Sequence, residues 1–97
     1  MIYIVTQDGL SNYPVEDDDV IRTIITYIGG VKYNITLERA FNDKQAYINL
    51  GEYTDEKTAA NVVREIANRR AAYFNIDGWI PCYFMPEEEE EEENAEQ

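Results

Sequence analysis

Val20-Ile21-Arg22-Thr23-Ile24-Ile25-Thr26-Tyr27-Ile28-Gly29-Gly30-Val31-Lys32-Tyr33-Asn34-Ile35-Thr36-Leu37-Glu38 is the stretch whose reading decides the fold. Two β-branched runs flank a glycine pair, and glycine accepts the positive φ that a tight reversal demands. The stretch reads as a hairpin. With the two glycines as the turn, Ile28 opposes Val31, Thr26 opposes Tyr33, Ile24 opposes Ile35 and Arg22 opposes Leu37. In the second arm Val31, Tyr33, Ile35 and Leu37 alternate with Lys32, Asn34, Thr36 and Glu38, so the first set is expected on the core face. The same register leaves Ile21, Ile25 and Tyr27 on the outer face. Three large apolar groups there call for a cover, either another part of the chain or another molecule.

Upstream, Ile2 to Thr6 is a short β-rich run closed by the turn signal Gln7-Asp8-Gly9. Leu10 to Tyr13 reads as the return strand, stopped by Pro14, and Glu16-Asp17-Asp18-Asp19 as a solvated loop. Downstream, Arg39 to Lys44 is a loop around Asn42-Asp43. Gln45 to Gly51 is a further strand, with Ala46, Ile48 and Leu50 facing inward. Thr54-Asp55-Glu56 then opens a helix, with Thr54 as its cap and two acids where the dipole favours them. Ala59, Val62, Val63, Ile66, Ala67, Arg70, Tyr73 and Phe74 recur at helical spacing, and the helix is expected to end near Asn75.

The change from period two before Gly51 to period 3.6 after Thr54 predicts an α+β fold. The expected architecture is a mainly antiparallel sheet of four to five strands, with one long helix in the C-terminal half packed on one face. The expected core is Ile4, Ile24, Ile28, Tyr33, Ile35, Leu37, Ile48, Leu50, Val62, Val63 and Ile66. Trp79 to Pro86 is an apolar, extended segment whose two prolines keep it from a sheet centre. Residues 1–86 are expected to form one domain and residues 87–97 a disordered acidic tail.

Charge narrows the functional classes. The 97 residues carry 20 acids against 8 bases and no histidine, a net charge of −12. Residues 87–97 hold eight of the acids and no base, so the body stands at −4 and the tail supplies the rest. Phosphate backbones and anionic membranes repel such a chain, and basic surfaces attract it. Arg64, Arg69, Arg70 and Lys57 on the helix are therefore read as intramolecular ion-pairing groups. Ser11, Thr54 and Cys82 are nominal nucleophiles with no histidine to activate them, and no glycine-rich phosphate loop is present. The acidic run at 16–19 lacks the alternating ligands and glycine of a calcium loop. Neither catalysis nor a metal or cofactor is expected. A lone cysteine points to a reducing compartment, and no stretch has the length of a membrane span; the cytosol is the expected location.

Ile4-Val5-Thr6-Gln7-Asp8-Gly9, the β-rich runs that follow, Leu50-Gly51-Glu52-Tyr53-Thr54 and a helix with Ala59, Val63 and Ile66 resemble small proteins of phages and prophages of low-GC Gram-positive bacteria. The resemblance spans about residues 2 to 70 and brings no catalytic residues with it. It implies an accessory protein of a mobile element. By analogy, such small acidic proteins inhibit host defence or regulatory proteins.

Two functions of different class are compatible with these features. The first is an acidic inhibitor that occupies the basic, nucleic-acid-binding surface of a host protein, by way of Asp8, Glu16, Asp17, Asp18, Asp19, Glu52, Asp55 and Glu56. Carboxylates two residues apart on a strand lie about 6.8 Å apart, comparable to neighbouring phosphates. The second is an oligomer that binds or sequesters a nucleotide-like small molecule on an aromatic platform. A homodimer is expected in either case, through Ile21, Ile25, Tyr27, Trp79, Ile80, Tyr83 and Phe84. The acids discriminate between the two: gathered on one surface they favour mimicry, scattered evenly they weaken it.

Overall fold

A computed structural model describes residues 2–41, 44–72 and 82–88. The elements are β1 (Ile2–Val5), β2 (Asn12–Val15), β3 (Val20–Thr26), β4 (Lys32–Phe41), β5 (Lys44–Tyr53), α1 (Glu56–Ala72) and β6 (Cys82–Phe84). The fold is α+β, with a single helix among the described residues. The single sheet of four to five strands expected from the sequence is instead two sheets of three, ordered β2-β1-β6 and β3-β4-β5. All pairings are antiparallel except β1 with β6. The split arises because β1 takes its second neighbour from the far end of the chain. A parallel pair needs a long crossover, and everything from β2 to α1 supplies it.

The β1–β2 connection is wider than a tight hairpin. Thr6 N–H donates to Ser11 O (2.9 Å) and Gly9 N–H to Thr6 O (2.8 Å), with Gly9 at φ 76°. Pro14, expected to stop the return strand, lies within β2 opposite Tyr3. An edge strand tolerates it, since the missing N–H faces away from the ladder.

The glycine hairpin has a different register from the one expected. Thr26 pairs with Lys32, Ile25 with Tyr33, Thr23 with Ile35 and Ile21 with Leu37. The connection is thus Tyr27 to Val31, five residues rather than two, with Gly29 at φ 74° and Gly30 at φ 111°. A slip of one residue turns a whole strand over. Ile21 and Ile25 accordingly share the core-side face with Tyr33, Ile35 and Leu37. Ile24, expected in the core, lies on the outer face beside Asn34, and Ile28 in the turn is 92% exposed. Tyr33, Ile35 and Leu37 face the core as expected, but Thr36 and Glu38 on the opposite face are buried as well, and Val31 is exposed in the connection. A bulge in β5 at Ile35/Thr36 then lets Leu50, Gly51 and Tyr53 all be buried.

The core joins both sheets to the helix: Ile2, Ile4, Val15, Ile35, Leu37, Leu50, Tyr53, Ala59, Val62, Ile66, Tyr83 and Met85. Tyr33, Ile48 and Val63 pack on its margin. The helix begins one residue later than its expected cap. Asp55, not Thr54, accepts from Thr58 N–H (3.0 Å) and from Thr58 Oγ1 (2.9 Å). A carboxylate at that position satisfies a free helical N–H and also suits the dipole. Trp79, Ile80, Tyr73 and Phe74 lie outside the described residues. Among those described, no helix is long and apolar enough to cross a membrane.

Candidate functional site

The start of α1 is where the acids gather. Tyr53 ends β5, and Thr54 and Asp55 lead into the helix with their N–H groups pointing outward from its positive end. The Glu88 carboxylate fills this position. It accepts from Thr54 N–H through both oxygens (2.9 Å each), from Thr54 Oγ1 (2.9 Å) and from Asp55 N–H (2.9 Å). Glu87 and Glu88, the first two residues of the expected tail, thus belong to the described chain, with Glu88 held at the helix N-terminus. Residues 89–97 lie outside it.

Gln7 brings the β1–β2 turn to the same place. Its N–H donates to Leu50 O (2.9 Å), its Oε1 accepts from Glu52 N–H (2.8 Å), and its Nε2 donates to Pro86 O (3.4 Å). Tyr53 Oη also donates to Pro86 O (2.7 Å). Three distant segments therefore meet, and Asp8, Glu52, Asp55, Glu56, Glu87 and Glu88 share one end of the molecule. Lys32 neutralises Glu52 in part, at 3.0 Å. A polar cleft of about 260 Å³ between the turn and β5 is lined by Thr6, Asp8, Ser11, Tyr13, Asn49 and Glu52, among others.

The other acids expected at a partner surface lie elsewhere. Glu16, Asp17 and Asp18 are exposed at the far end of the helix, where Arg70 donates to Glu16 O (3.0 Å) and Asp19 O (3.3 Å). Fifteen residues separate Asp55 from Arg70, about 22 Å along a helix. Asp19 is no surface group at all: its side chain is 1% exposed and paired with Arg39 at 2.6 Å. Arg39 Nε donates to the other carboxylate oxygen (2.9 Å), and Glu16 N–H donates as well (2.7 Å). The acids are therefore neither on one surface nor evenly scattered. They form two groups at opposite ends.

The electrostatics of individual groups follow from these contacts. Hydrogen bonds from Thr6 Oγ1 (2.6 Å) and Leu10 N–H (3.0 Å) hold the Asp8 carboxyl below its ordinary pKa, against a smaller desolvation effect. Burial pushes the Tyr53 hydroxyl up to about 12, helped by the charges of Glu88 and Glu65. Burial also raises Tyr83, as does its hydrogen bond to Glu65 (2.6 Å), while Arg69 over the ring (5.3 Å) opposes. Tyr83, expected at an interface, is a core residue, whereas Phe84 beside it is exposed. The helix arginines bond to backbone carbonyls (Arg70), a ring (Arg69) and Asn61 (Arg64, 2.9 Å) rather than to helix acids.

Of the nominal nucleophiles, Thr54 Oγ1 donates to the Glu88 carboxylate, which also accepts from the N–H groups of Thr54 and Asp55. Cys82 is exposed and free. Among the described residues, no three acidic or thiol groups are placed to hold a metal ion. Sequence reasoning missed Gln7 and Glu88. Thr54-Asp55 does mark a helix start that attracts an anion, but which glutamate of the run fills it is decided by the path of β6. No known family model, curated protein or solved structure matches the chain.

Proposed function

We propose that the protein is a non-catalytic acidic binding module whose partner is a basic, nucleic-acid-binding protein surface. Contact is made through the end of the molecule that carries Asp8, Glu52, Asp55, Glu56 and Glu87. The observation supporting this reading is the convergence of those acids with Glu88, which is held at the helix N-terminus beside them. Such a field attracts a basic partner over about a Debye length and repels nucleic acid and anionic lipid. The resemblance of residues 2–70 to phage and prophage proteins sets that partner in a bacterial host, where occupation of the surface inhibits it. Glu16, Asp17 and Asp18, at the other end, are not part of the contact.

The alternative, a nucleotide-like ligand, is favoured by no contact here. The polar cleft is flanked by Asp8 and Glu52, which repel phosphate.

The test is capture from host lysate with the wild-type chain and with a variant carrying E52Q, D55N, E56Q and E87Q. Asn caps a helix as well as Asp does, so the variant keeps the fold. The expected result is a basic protein retained by the wild type, released by salt or by added DNA, and lost by the variant. Equal retention by both would remove the acidic end from the mechanism.

A further inference from the structure

Two three-stranded sheets have four edges, and three of them are blunted against pairing. β2 carries Pro14, β6 is three residues long, and β5 opens on Lys44 and is engaged at its C-terminal part by Gln7 through Leu50 O and Glu52 N–H. The fourth, β3, has neither proline nor lysine, and the bulge of its sheet lies in the β4–β5 ladder. Among the described residues it pairs with β4 alone. A seven-residue β-branched strand of this kind is a template for another strand.

We propose that β3 is a self-association edge: two copies pair antiparallel through it, about a two-fold axis at Thr23, to make one six-stranded sheet. The strand is self-complementary in that register. Ile21 meets the second copy's Ile25, Val20 meets Thr26, and Thr23 meets Thr23. Ile21 and Ile25 share the helix-side face with Ile35 and Leu37, so pairing continues the core across the axis and covers Ile25, 45% exposed in the single chain.

Charge selects a second copy over the basic partner. At −12 per chain, two copies repel wherever acids meet. Residues 20–31 contain no acid, and their one cation, Arg22, is held by Glu38 at 3.2 Å. This edge is where two copies approach with least repulsion, and it offers nothing to a cationic surface.

Cysteine cross-linking and sedimentation in a Cys82→Ser background test the pairing. Thr23→Cys places two thiols on the axis, where facing Cα atoms are about 4.5–5.5 Å apart, within disulfide reach. Thr26→Cys faces Val20 and serves as control. On mild oxidation the first is expected to give ~10-fold more linked dimer than the second. Ile25→Lys is expected to sediment as a monomer with an unchanged circular dichroism spectrum. Added salt is expected to strengthen the dimer by screening repulsion, the opposite of its effect on the basic partner. A monomer at every salt and protein concentration, or equal cross-linking at both positions, would overturn the pairing. An Ile25→Lys monomer that still captures the basic protein leaves the proposed function intact, whereas a salt-strengthened dimer that captures nothing leaves the pairing intact and removes that function.

Discussion

Asp19 shows how far a residue's role can depart from its neighbours'. It follows three exposed acids, yet its carboxylate is buried against Arg39, whose guanidinium also reaches Pro14 O at 2.8 Å. Burial alone would raise its pKa. Hydrogen bonds from Arg39 and Glu16 N–H, together with the Arg39 and Arg70 charges, outweigh that and hold it below the ordinary value. Because the folded value lies below the unfolded one, the pair's contribution is complete above about pH 4 and lost as pH falls through the folded value. Asp19→Asn is expected to cost about 3 kcal/mol in urea unfolding at pH 7 and to flatten the acid limb of the stability profile. Glu88→Gln removes a charge from the helix N-terminus and is expected to cost about 0.5–1 kcal/mol at low salt, read from the same unfolding curves. Neither role is visible locally. Arg39 lies 20 residues from Asp19, and Glu88 lies 34 from Thr54.

At the scale of elements, β6 is short but structural. Tyr83 and Met85 enter the core, Met85 N–H donates to Val5 O (3.0 Å), and Met85 Cε lies 3.1 Å from where a Cβ on Gly51 would sit. Met85→Ala is expected to cost about 2–5 kcal/mol and to speed amide exchange in β1 and β6 before β4. The two buried tyrosines give an alkaline signature. Their folded pKa values are raised, Tyr53 to about 12, so the stability they confer is complete below pH 10 and declines as pH rises from there. Tyr83→Phe is expected to weaken that alkaline decline, measured by urea midpoints between pH 9 and 11. The hairpin teaches a different lesson. Its existence was legible from two β-branched runs around Gly29-Gly30, but its register was not, because a glycine pair suits a five-residue connection as well as a two-residue turn. Ile21, Ile24 and Ile25 changed faces on that one point.

At the scale of the molecule, the exposed acids Asp8, Glu52, Asp55, Glu56 and Glu87 lie at one end of the helix and Glu16, Asp17 and Asp18 at the other. The run that begins at Glu87 is attached to the end holding Asp8, Glu52, Asp55 and Glu56. Removing residues 89–97 is expected to leave thermal stability unchanged and to slow association with a basic partner at low salt, as stopped-flow would read. Removing 87–97 adds the loss of the Glu88 contact and is expected to lower stability as Glu88→Gln does. Composition by itself determined the strong negative charge, 20 acids against 8 bases with no histidine. Periodicity determined the helix and the inward set Tyr33, Ile35, Leu37, Val62 and Ile66, because burial on one face is a local pattern. Only the tertiary structure decided that β1 pairs with β6, that Asp19 is internal, and that Glu88 closes on the helix. Each of those depends on segments that meet across tens of residues, and no local rule of spacing encodes which partner a strand edge or a charge will find.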